Sequence, residues 1–394
     1  MQTHDTDLVL APGPVNLHPE VRKALSLPMI HHRTPEFDKI LQRVLLKMKE
    51  VFATDEPVFL LSSTGSGGME CLLVNTLQPG DRVLSINSGK FGERWAEMAK
   101  SFGLTVDEFD EIKVEWGHPV KVSDVAQHLS EAESQKRPYR AVLCQACETS
   151  TAVSHPIREL GELVHKYQQT IFLVDGITAL GAYPLPMDQW FIDGLVGGSQ
   201  KAFMLPTGMS FVSFSKKAWD FVQKNTFPKY YFDVRRELAA NQKGESFFSS
   251  NVSIIRALDV VLKLIDEKGW DQHYLEISKR AQFTRYFAPK LGLANYSHAP
   301  ANSLTALQVP AGIDSQKIRT QLESQHRITI MGGQDQLKGK ILRIGHMGHV
   351  THEDMIRLFL SLHEVLSASL PKNSITVTAR DLKIEMKGWW GGGQ

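Results

Sequence analysis

The chain has 394 residues, of which 42% are hydrophobic and 22% are charged, which is enough to bury a sizeable core in two domains. Its formal net charge of +1 gives no reason to expect a nucleic-acid partner or binding to an anionic membrane surface. The start of the chain lacks the pattern of a secretory signal peptide, and its apolar runs are too short to cross a bilayer, so we expect a soluble protein.

Helical and strand patterns alternate through the first two thirds of the chain. The predicted elements are a helix over residues 35–52, a strand over 82–86, a helix over 91–101, a strand over 142–144, a helix over 156–167, and strands over 171–174 and 192–196. This alternation predicts an α/β fold with a mostly parallel sheet that helices cover on both faces. Ligands of such sheets bind at the carboxyl ends of the strands, so the residues that follow each strand are the candidates for a ligand site.

The last third of the chain predicts a smaller α+β domain that follows a long helix starting near Asn251. Its predicted elements are a strand over residues 304–309, a helix over 314–322, a strand over 340–344 and a closing helix after Thr351. We therefore expect a large domain over residues 17–255 and a small domain over 256–394 that residues 1–16 join. The tail, with Trp389 and Trp390, either docks on a neighbouring surface or forms a disordered end.

The three cysteines are Cys71, Cys144 and Cys147, too few for a disulfide framework. Cys144 and Cys147 form a C-x-x-C pair, which is compatible with redox or metal chemistry. A zinc site of four protein ligands needs a second ligand pair, which the sequence does not offer. Cys144 also ends an apolar run typical of a buried strand, where cysteine behaves as a small hydrophobic residue. We expect no metal and a reducing, cytoplasmic environment.

Asp175 follows the predicted strand over residues 171–174, at the edge where a ligand would bind. A carboxylate in that position can pair with a protonated heterocyclic nitrogen and keep it charged. The alternative is a solvated aspartate in an ordinary turn, and Asp175 alone does not decide between the two.

Lys201 closely follows the apolar run over residues 192–196 and the small-residue turn Gly197-Gly198-Ser199. Desolvation in a cleft would lower the pKa of its amine and make it a nucleophile towards an aldehyde. Most lysines are solvated surface charges, so the pairing with Asp175, one strand away, is what singles this one out. Pyridoxal phosphate (PLP) requires such a lysine and such a carboxylate.

A third element is the glycine- and hydroxyl-rich turn over residues 62–70, which contains Gly65, Ser66 and Gly67 and runs into an apolar helical pattern. The start of a helix offers free N–H groups and the positive end of the helix dipole, which suit a phosphate. Glycine richness alone is weak evidence, since a flexible loop has the same composition. The Gly-Lys-Ser/Thr ending of a nucleotide-binding P-loop is absent.

Taken together, the sequence resembles the class V branch of the PLP-dependent aminotransferases of fold type I. The likeness is greatest to the alanine–glyoxylate and serine–glyoxylate (or serine–pyruvate) aminotransferases, some of whose bacterial relatives are labelled subunits of a soluble hydrogenase. The matching segments are Ala11-Pro12-Gly13-Pro14, His32-Arg33-Thr34-Pro35-Glu36-Phe37, Phe91-Gly92-Glu93-Arg94-Trp95, Glu148-Thr149-Ser150-Thr151, Ser199-Gln200-Lys201, Tyr230-Tyr231-Phe232-Asp233 and Arg343-Ile344-Gly345-His346-Met347-Gly348. The resemblance implies a seven-stranded type of sheet in the large domain.

The resemblance also implies a role for individual residues. Lys201 matches the lysine that binds PLP covalently, and Asp175 matches the partner of the ring nitrogen. The remaining cofactor positions that match are Gly65, Ser66, Gly67 and Gln200 for the phosphate, and Phe91, Thr149 and Ile177 around the ring. Arg343 matches the arginine that holds the substrate carboxylate, and Gly13 belongs to the expected substrate site. A guanidinium suits this task because its planar fork can bind a carboxylate with two hydrogen bonds.

In this family a second subunit also reaches the phosphate, so the resemblance implies a homodimer with shared active sites. Ser250 stands where relatives usually carry threonine, which keeps a hydroxyl. Phe247 stands near the position of a phosphate-binding tyrosine in some relatives, and this change puts that contact in doubt. Two further departures lie close to the cofactor: Ala152 replaces a common glycine, and Ala146-Cys147 stands where a histidine often appears.

Two histidine clusters, His31-His32-Arg33 and His346-x-x-His349, are compatible with metal binding. The resemblance instead places both near the mouth of a metal-free active site.

The resemblance implies transamination between a small α-amino acid, alanine or serine, and glyoxylate or pyruvate. One alternative is another PLP reaction on the same fold, such as a lyase reaction or transamination of a phosphonate or amine, because fold alone does not fix the reaction. A second alternative is a non-catalytic subunit associated with a hydrogenase. The presence of every residue that PLP chemistry requires, and the lack of a cysteine set for a metal cluster, argue against that second alternative.

Overall fold

The computed structural model describes residues 7–107, 110–371 and 374–391. Residues 1–6 and 392–394, which we assigned to the small domain, lie outside the described residues. The strands are β1 (Leu8–Val9), β2 (Val58–Leu61), β3 (Val83–Asn87), β4 (Glu111–Lys113), β5 (Ala141–Gln145), β6 (Cys147–Glu148), β7 (Val153–Ser154), β8 (Ile171–Asp175), β9 (Gly194–Gly198), β10 (Ser210–Phe214), β11 (Ala294–Asn295), β12 (Leu304–Gln308), β13 (Ile328–Thr329), β14 (Met331–Gly332) and β15 (Ile341–Gly345).

Helices separate most of these strands. They are α1 (Pro19–Leu25), α2 (Pro35–Phe52), α3 (Gly65–Thr76), α4 (Lys90–Ser101), α5 (Val122–Ser134), α6 (Ile157–Val164), α7 (Lys216–Lys224), α8 (Val234–Asn241), α9 (Val252–Lys268), α10 (Trp270–Phe287), α11 (Ser315–His326), α12 (His352–Ser369) and α13 (Ala379–Gly391). The helix predicted over residues 35–52 has the same bounds in the structure. The helix predicted over residues 156–167 is shorter, because α6 begins after Pro156 and ends at Val164.

The central sheet has seven strands in the order β2-β10-β9-β8-β5-β3-β4. Strand β10 runs antiparallel to both of its neighbours, and the other pairs are parallel. Its inner strands β5, β8 and β9 are buried along their whole length. Sheets buried on both faces read as continuous apolar runs, and this explains why these strands were visible in the sequence. The predicted α/β fold with a mostly parallel sheet is confirmed.

A second sheet of four strands, in the antiparallel order β11-β12-β15-β14, follows in the last third of the chain. The start of the chain joins this region, because β1 pairs in parallel with β13. Leu8 and Leu10 pack in the same apolar core as Phe283, Leu342 and Phe359. The grouping of residues 1–16 with the small domain stays a prediction. The division between residues 255 and 256 itself stays a prediction, and α9 packs its buried side chains in the core of the large sheet.

The helix after Thr351 was predicted to close the chain, but α13 follows it. Leu382 and Met386 of α13 are fully buried. The ring of Trp390 stacks on Phe283, with ring centroids 5.0 Å apart, and on His352, with centroids 4.0 Å apart. Of the two alternatives for the tail, docking is therefore the one that the structure shows for α13. Among the described residues, no helix is long and apolar enough to cross a membrane.

The docking of α13 predicts that Met386→Ala destabilises the protein. Met386 is fully buried, so its truncation should lower the free energy of unfolding by roughly 2–5 kcal/mol. Ile384 lies on the same helix but is 61% exposed. Ile384→Ala should therefore change the free energy of unfolding by less than about 0.5 kcal/mol. Urea unfolding of the two variants, followed by tryptophan fluorescence, checks this difference. Equal destabilisation by both substitutions would contradict the docked arrangement.

Candidate active site

Asp175 and Lys201 meet at the carboxyl edge of the central sheet. Asp175 ends β8, and Lys201 lies in the turn that follows β9. The two strands are parallel neighbours, with Asp175 opposite Val196, so both side chains extend from the same edge. The side chains are close enough for the charge of each to alter the pKa of the other. The structure thus brings together the two residues that the sequence singled out.

Lys201 lies under the N-terminal segment of the chain. Its Nζ donates a hydrogen bond of 2.8 Å to the carbonyl oxygen of Pro12. A Cβ on Gly13 would lie 2.5 Å from Cδ of Lys201, so only glycine permits this approach, and its φ of +130° also favours glycine. Burial lowers the pKa of Lys201 to about 8, while the charge of Asp175 opposes this decrease. A lysine with this pKa has a substantial neutral fraction under mildly alkaline conditions.

Asp175 is 5% exposed, and its Oδ1 accepts a hydrogen bond of 2.8 Å from the backbone N–H of Ile177. Burial raises the pKa of Asp175 to about 6, against the opposing effects of this hydrogen bond and of the Arg94 and Lys201 charges. Among the described residues, Oδ2 accepts no hydrogen bond. That oxygen remains available to a protonated ring nitrogen, which would stabilise the carboxylate.

The predicted phosphate loop opens helix α3, whose first residue is Gly65. A Cβ on Gly65 would lie 2.4 Å from Cδ1 of Ile177, and one on Gly67 would lie 2.8 Å from Cβ of Ser63, so both glycines sit in contacts that exclude a side chain. Thr64 makes no side-chain cap, and this leaves the first N–H groups of the helix to a ligand.

Two polar side chains line this loop. The Oε1 atom of Gln200 is buried without a hydrogen-bond partner among the described residues. A flipped amide would present N–H donors at the same point, where they could reach a phosphate. Arg94 donates a hydrogen bond of 3.2 Å to Oγ of Ser66, and its guanidinium lies 4.8 Å from the ring centroid of Phe91. Arg94 was not predicted from the sequence to have a role, although it lies three residues after Phe91 on a helix and therefore on the same face.

The predicted ring contacts come from three different elements. Phe91 lies in the first turn of α4. Thr149 is buried, and its hydroxyl donates a hydrogen bond of 2.9 Å to that of Thr178. Ile177 follows Asp175 directly and is 9% exposed. The aromatic and the aliphatic side chain suit the two faces of a flat heterocycle.

Arg343 joins the second sheet to this site. It lies in β15 and is 8% exposed. Its Nε donates to the carbonyl of Gly332 at 2.8 Å, and its Nη1 donates to the carbonyl of Thr149 at 2.9 Å. Burial lowers the pKa of Arg343 to about 10, while the charge of Glu148 opposes this decrease. Among the described residues, its Nη2 has no hydrogen-bond partner, so part of the fork is free for a substrate carboxylate.

Ser250 was expected to reach the phosphate of a partner subunit. In this chain its hydroxyl bonds to that of Ser246. It lines the same cavity as Tyr231, which is 46% exposed, and the nearby chain also exposes Tyr230 (65%) and Phe247 (37%). The contact of Ser250 with the phosphate of a partner subunit stays a prediction.

The other residues that suggested metal or redox chemistry have different surroundings. Cys144 and Cys147 are free and fully buried, and burial raises the pKa of both thiols. His346 bonds through Nε2 to the hydroxyl of Thr305 at 2.8 Å, and the ring of His349 packs against His18. Among the described residues, no cluster of three or more histidine, cysteine or acidic side chains could hold a metal ion.

The residues of this site fit PLP. The contacts of Gly65 and Gly67 leave a helix start free for a phosphate. The partly desolvated amine of Lys201 suits an aldehyde, and the free oxygen of Asp175 suits a pyridinium.

Comparison with known proteins agrees with this arrangement. The aminotransferase class-V family model matches residues 20–358. A soluble hydrogenase 42 kDa subunit of Anabaena cylindrica is 34% identical over 364 residues, which are 92% of this chain and 94% of that protein. An L-aspartate–glyoxylate aminotransferase of Paracoccus denitrificans is 32% identical over 348 residues, 87% of each chain. The crystal structure of an alanine–glyoxylate aminotransferase from Nostoc sp. has a TM-score of 0.85 at 27% identity, covering 92% of this chain and 95% of that one.

The contact between Gly13 and Lys201 predicts that Gly13→Ala weakens PLP binding. The added methyl would lie within 2.7 Å of Nζ and must displace the lysine. We expect the dissociation constant of PLP to rise roughly tenfold to hundredfold, which corresponds to an overpacking penalty of about 1–3 kcal/mol. Gly312→Ala is the control, since Gly312 also has a positive φ but meets no atom within 4 Å. Absorbance titration of the apoproteins measures both constants, and equal values would contradict the contact.

The lowered pKa of Lys201 predicts the pH dependence of PLP capture by the apoprotein. Only the neutral amine attacks an aldehyde, so the capture rate should rise with pH and level off above about 8. A solvated lysine would give a midpoint near its ordinary pKa of 10.5. Stopped-flow absorbance between about pH 6 and 11 measures the profile, and Lys201→Ala serves as the control that captures no PLP. A midpoint near 10.5 would show that the amine is not desolvated.

Proposed function

The chain belongs to the class V aminotransferase family, and from that premise we propose that it transfers the amino group of alanine or serine to glyoxylate or pyruvate. It is a PLP-dependent aminotransferase that acts on amino and keto acids. The observation that carries the proposal is that a partly free Arg343 guanidinium lies near Lys201, which meets Asp175 at one edge of the central sheet.

The residues that would hold the cofactor follow the carboxyl ends of several strands. Lys201 would bind it covalently, and Asp175 would pair with its ring nitrogen. The remaining residues that would hold it are Phe91, Ile177 and Thr149 for the ring, and Gly65, Ser66, Gly67 and Gln200 for the phosphate. When bound, PLP withdraws electrons from the α-carbon of the donor and so makes its proton acidic.

Lys201 is the base of the reaction. Burial favours the neutral form of its amine, and Nζ of the released lysine accepts the proton that leaves the α-carbon of the donor. Pro12 and Gly13 cover the side chain of Lys201, hold it near the sheet edge and limit the access of water from that side. Gly13 thus belongs to the substrate side of the site through its contact with Lys201.

Asp175 acts by its charge. Burial raises its pKa to about 6, so the carboxylate is ionised at neutral pH, and its charge is lost as the pH falls through that value. A protonated ring nitrogen beside it would lower this pKa and extend the working range to more acidic pH.

Arg343 holds the carboxylate of the amino donor. Its two hydrogen bonds to the carbonyls of Gly332 and Thr149 fix the plane of the guanidinium before substrate arrives. Fixing the plane in advance reduces the conformational entropy that substrate binding would otherwise cost.

The surroundings of Arg343 decide how many carboxylates the donor can carry. Arg319 is the nearby arginine whose charge affects the pKa of Arg343. Its Nε donates to the carbonyl of Ile330 and its Nη1 to the amide oxygen of Gln316. These two bonds occupy part of the Arg319 guanidinium, and the comparison of L-aspartate with L-alanine and L-serine tests whether the rest of it binds a second carboxylate. The names of the Paracoccus and Nostoc relatives support glyoxylate as the acceptor.

We also propose a homodimer in which each active site receives residues from both chains. Tyr230, Tyr231 and Phe247 are exposed, and Tyr231 lines the same cavity as Ser250. A second copy would cover these aromatic side chains. In that dimer Ser250 would contact the phosphate of the partner site. The three free, buried cysteines fit the reducing cytoplasm as its location.

The proposal predicts two half-reactions. L-alanine or L-serine should bleach the absorbance of the PLP-loaded protein, and glyoxylate or pyruvate should restore it. Arg343→Gln should raise KM for the amino donor by roughly 10–100-fold, because the carboxylate loses a charged partner, and should change kcat less. Arg357→Gln is the control, since Arg357 lies on α12 and bonds to the carbonyl of His326. Stopped-flow absorbance with L-alanine, L-serine and L-aspartate ranks the donors.

Other outcomes would favour the alternatives. A PLP-loaded protein that no α-amino acid bleaches would indicate a lyase or a transaminase for phosphonates or amines. A protein that binds no PLP would favour an accessory subunit, as the name of the Anabaena relative suggests. A faster reaction with L-aspartate than with L-alanine or L-serine would contradict the inferred donor size.

A further inference from the structure

Glu148 is a fully buried carboxylate at the end of β6 that the proposed chemistry does not use. It accepts hydrogen bonds from the backbone N–H groups of Phe91 at 3.2 Å, Gly92 at 3.0 Å and Ser150 at 3.1 Å. The hydroxyl of Ser150 at 2.5 Å and Nε2 of Gln145 at 3.1 Å also donate to it. Burying a carboxylate without hydrogen-bond donors is very unfavourable. The number of donors around Glu148 therefore indicates that the fold holds it in this position.

The partners of Glu148 favour its ionised form. Three backbone N–H groups and the amide of Gln145 can only donate, and they point at the two carboxylate oxygens. Burial raises the pKa of Glu148, and the hydrogen bonds from Ser150, Gly92 and Phe91 oppose that increase. These donors thus stabilise a negative charge at this point.

That charge lies at the start of helix α4. The residue before the helix is Gly89, which has no side chain to cap it. Glu148 supplies the missing cap from another strand and faces the positive end of the helix dipole. A Cβ on Gly89 would lie 2.6 Å from Cδ of Glu148, so the strand and the helix start are in direct contact. The carboxylate thus fixes the backbone of Phe91.

We propose that Glu148 is a positioning residue that holds the ring of Phe91 in place for the cofactor. The inference rests on the proposed function, because it takes Phe91 as the residue that stacks on PLP. The same segment also reaches the substrate side, since the carbonyl of Thr149 accepts a hydrogen bond from Arg343. Glu148 touches neither ligand itself and acts through the start of α4.

The test measures PLP binding by the apoprotein, not turnover. Glu148→Gln keeps the shape but removes the charge, and we expect the dissociation constant of PLP to rise about tenfold, as loss of hydrogen bonds to a charged group commonly does. The visible circular dichroism of bound PLP should also decrease, because the ring is held less firmly. Glu93→Gln is the matched control, since Glu93 lies on the same helix and pairs with Lys90 at its partly exposed surface.

A double-mutant cycle separates positioning from a general loss of structure. If Glu148 acts through Phe91, then Glu148→Gln should change the dissociation constant by less than about twofold in a Phe91→Ala background. A tenfold effect in both backgrounds would overturn the proposal. Ser150→Ala removes only the hydroxyl donor and should weaken PLP binding in the same direction by less, and this variant replaces Glu148→Gln if that protein does not fold.

Different outcomes would overturn the positioning role of Glu148 and the proposed function. Normal PLP binding by the wild-type protein with an unchanged constant in Glu148→Gln overturns the positioning role alone. A wild-type protein that binds no PLP overturns the proposed function, and the positioning role with it.

Discussion

The parallel pairing of β8 with β9 is the constraint on which the rest of this molecule depends. It brings Asp175 and Lys201 to one edge of a sheet whose inner strands are buried along their length. The same burial destabilises the charged form of both groups, and so the acid is weakened and the amine becomes a nucleophile. One feature of the backbone therefore sets both the geometry of the site and its electrostatics.

Small residues allow the surrounding elements to approach this edge. A Cβ on Gly68 would lie 2.5 Å from Cγ2 of Val196, and one on Gly194 would lie 3.0 Å from Cδ2 of Leu72, so α3 packs against β9 more closely than larger residues permit. The approach brings the start of α3 near the ends of the strands, where the dipole of a helix has its positive end. The second sheet adds Arg343, whose bonds to Thr149 and Gly332 connect the two halves of the site.

The sequence predicts the parts of this arrangement that leave a continuous apolar signal. The inner parallel strands were predicted for that reason, α2 was predicted from apolar residues at helical spacing, and their places after neighbouring strands singled out Asp175 and Lys201. Strand β10 has two serines among its five residues and was missed, and so was α13, whose tryptophans and glycines read as a tail. The roles of Arg94 and Glu148 depend on contacts with elements distant in sequence, which periodicity does not reveal. The domain division and the residue roles remain predictions.

The pairing of β1 with β13 has a consequence for the order in which the protein folds. Leu8 and Val9 pair with Ile328 and Thr329, and the segment that follows covers Lys201. The ribosome synthesises a chain from its N-terminus. This segment is therefore made long before its partner strand, which lies more than three hundred residues later. The pocket is thus completed only after residues 328 and 329 have been made, and until then Pro12 and Gly13 do not cover the reactive amine.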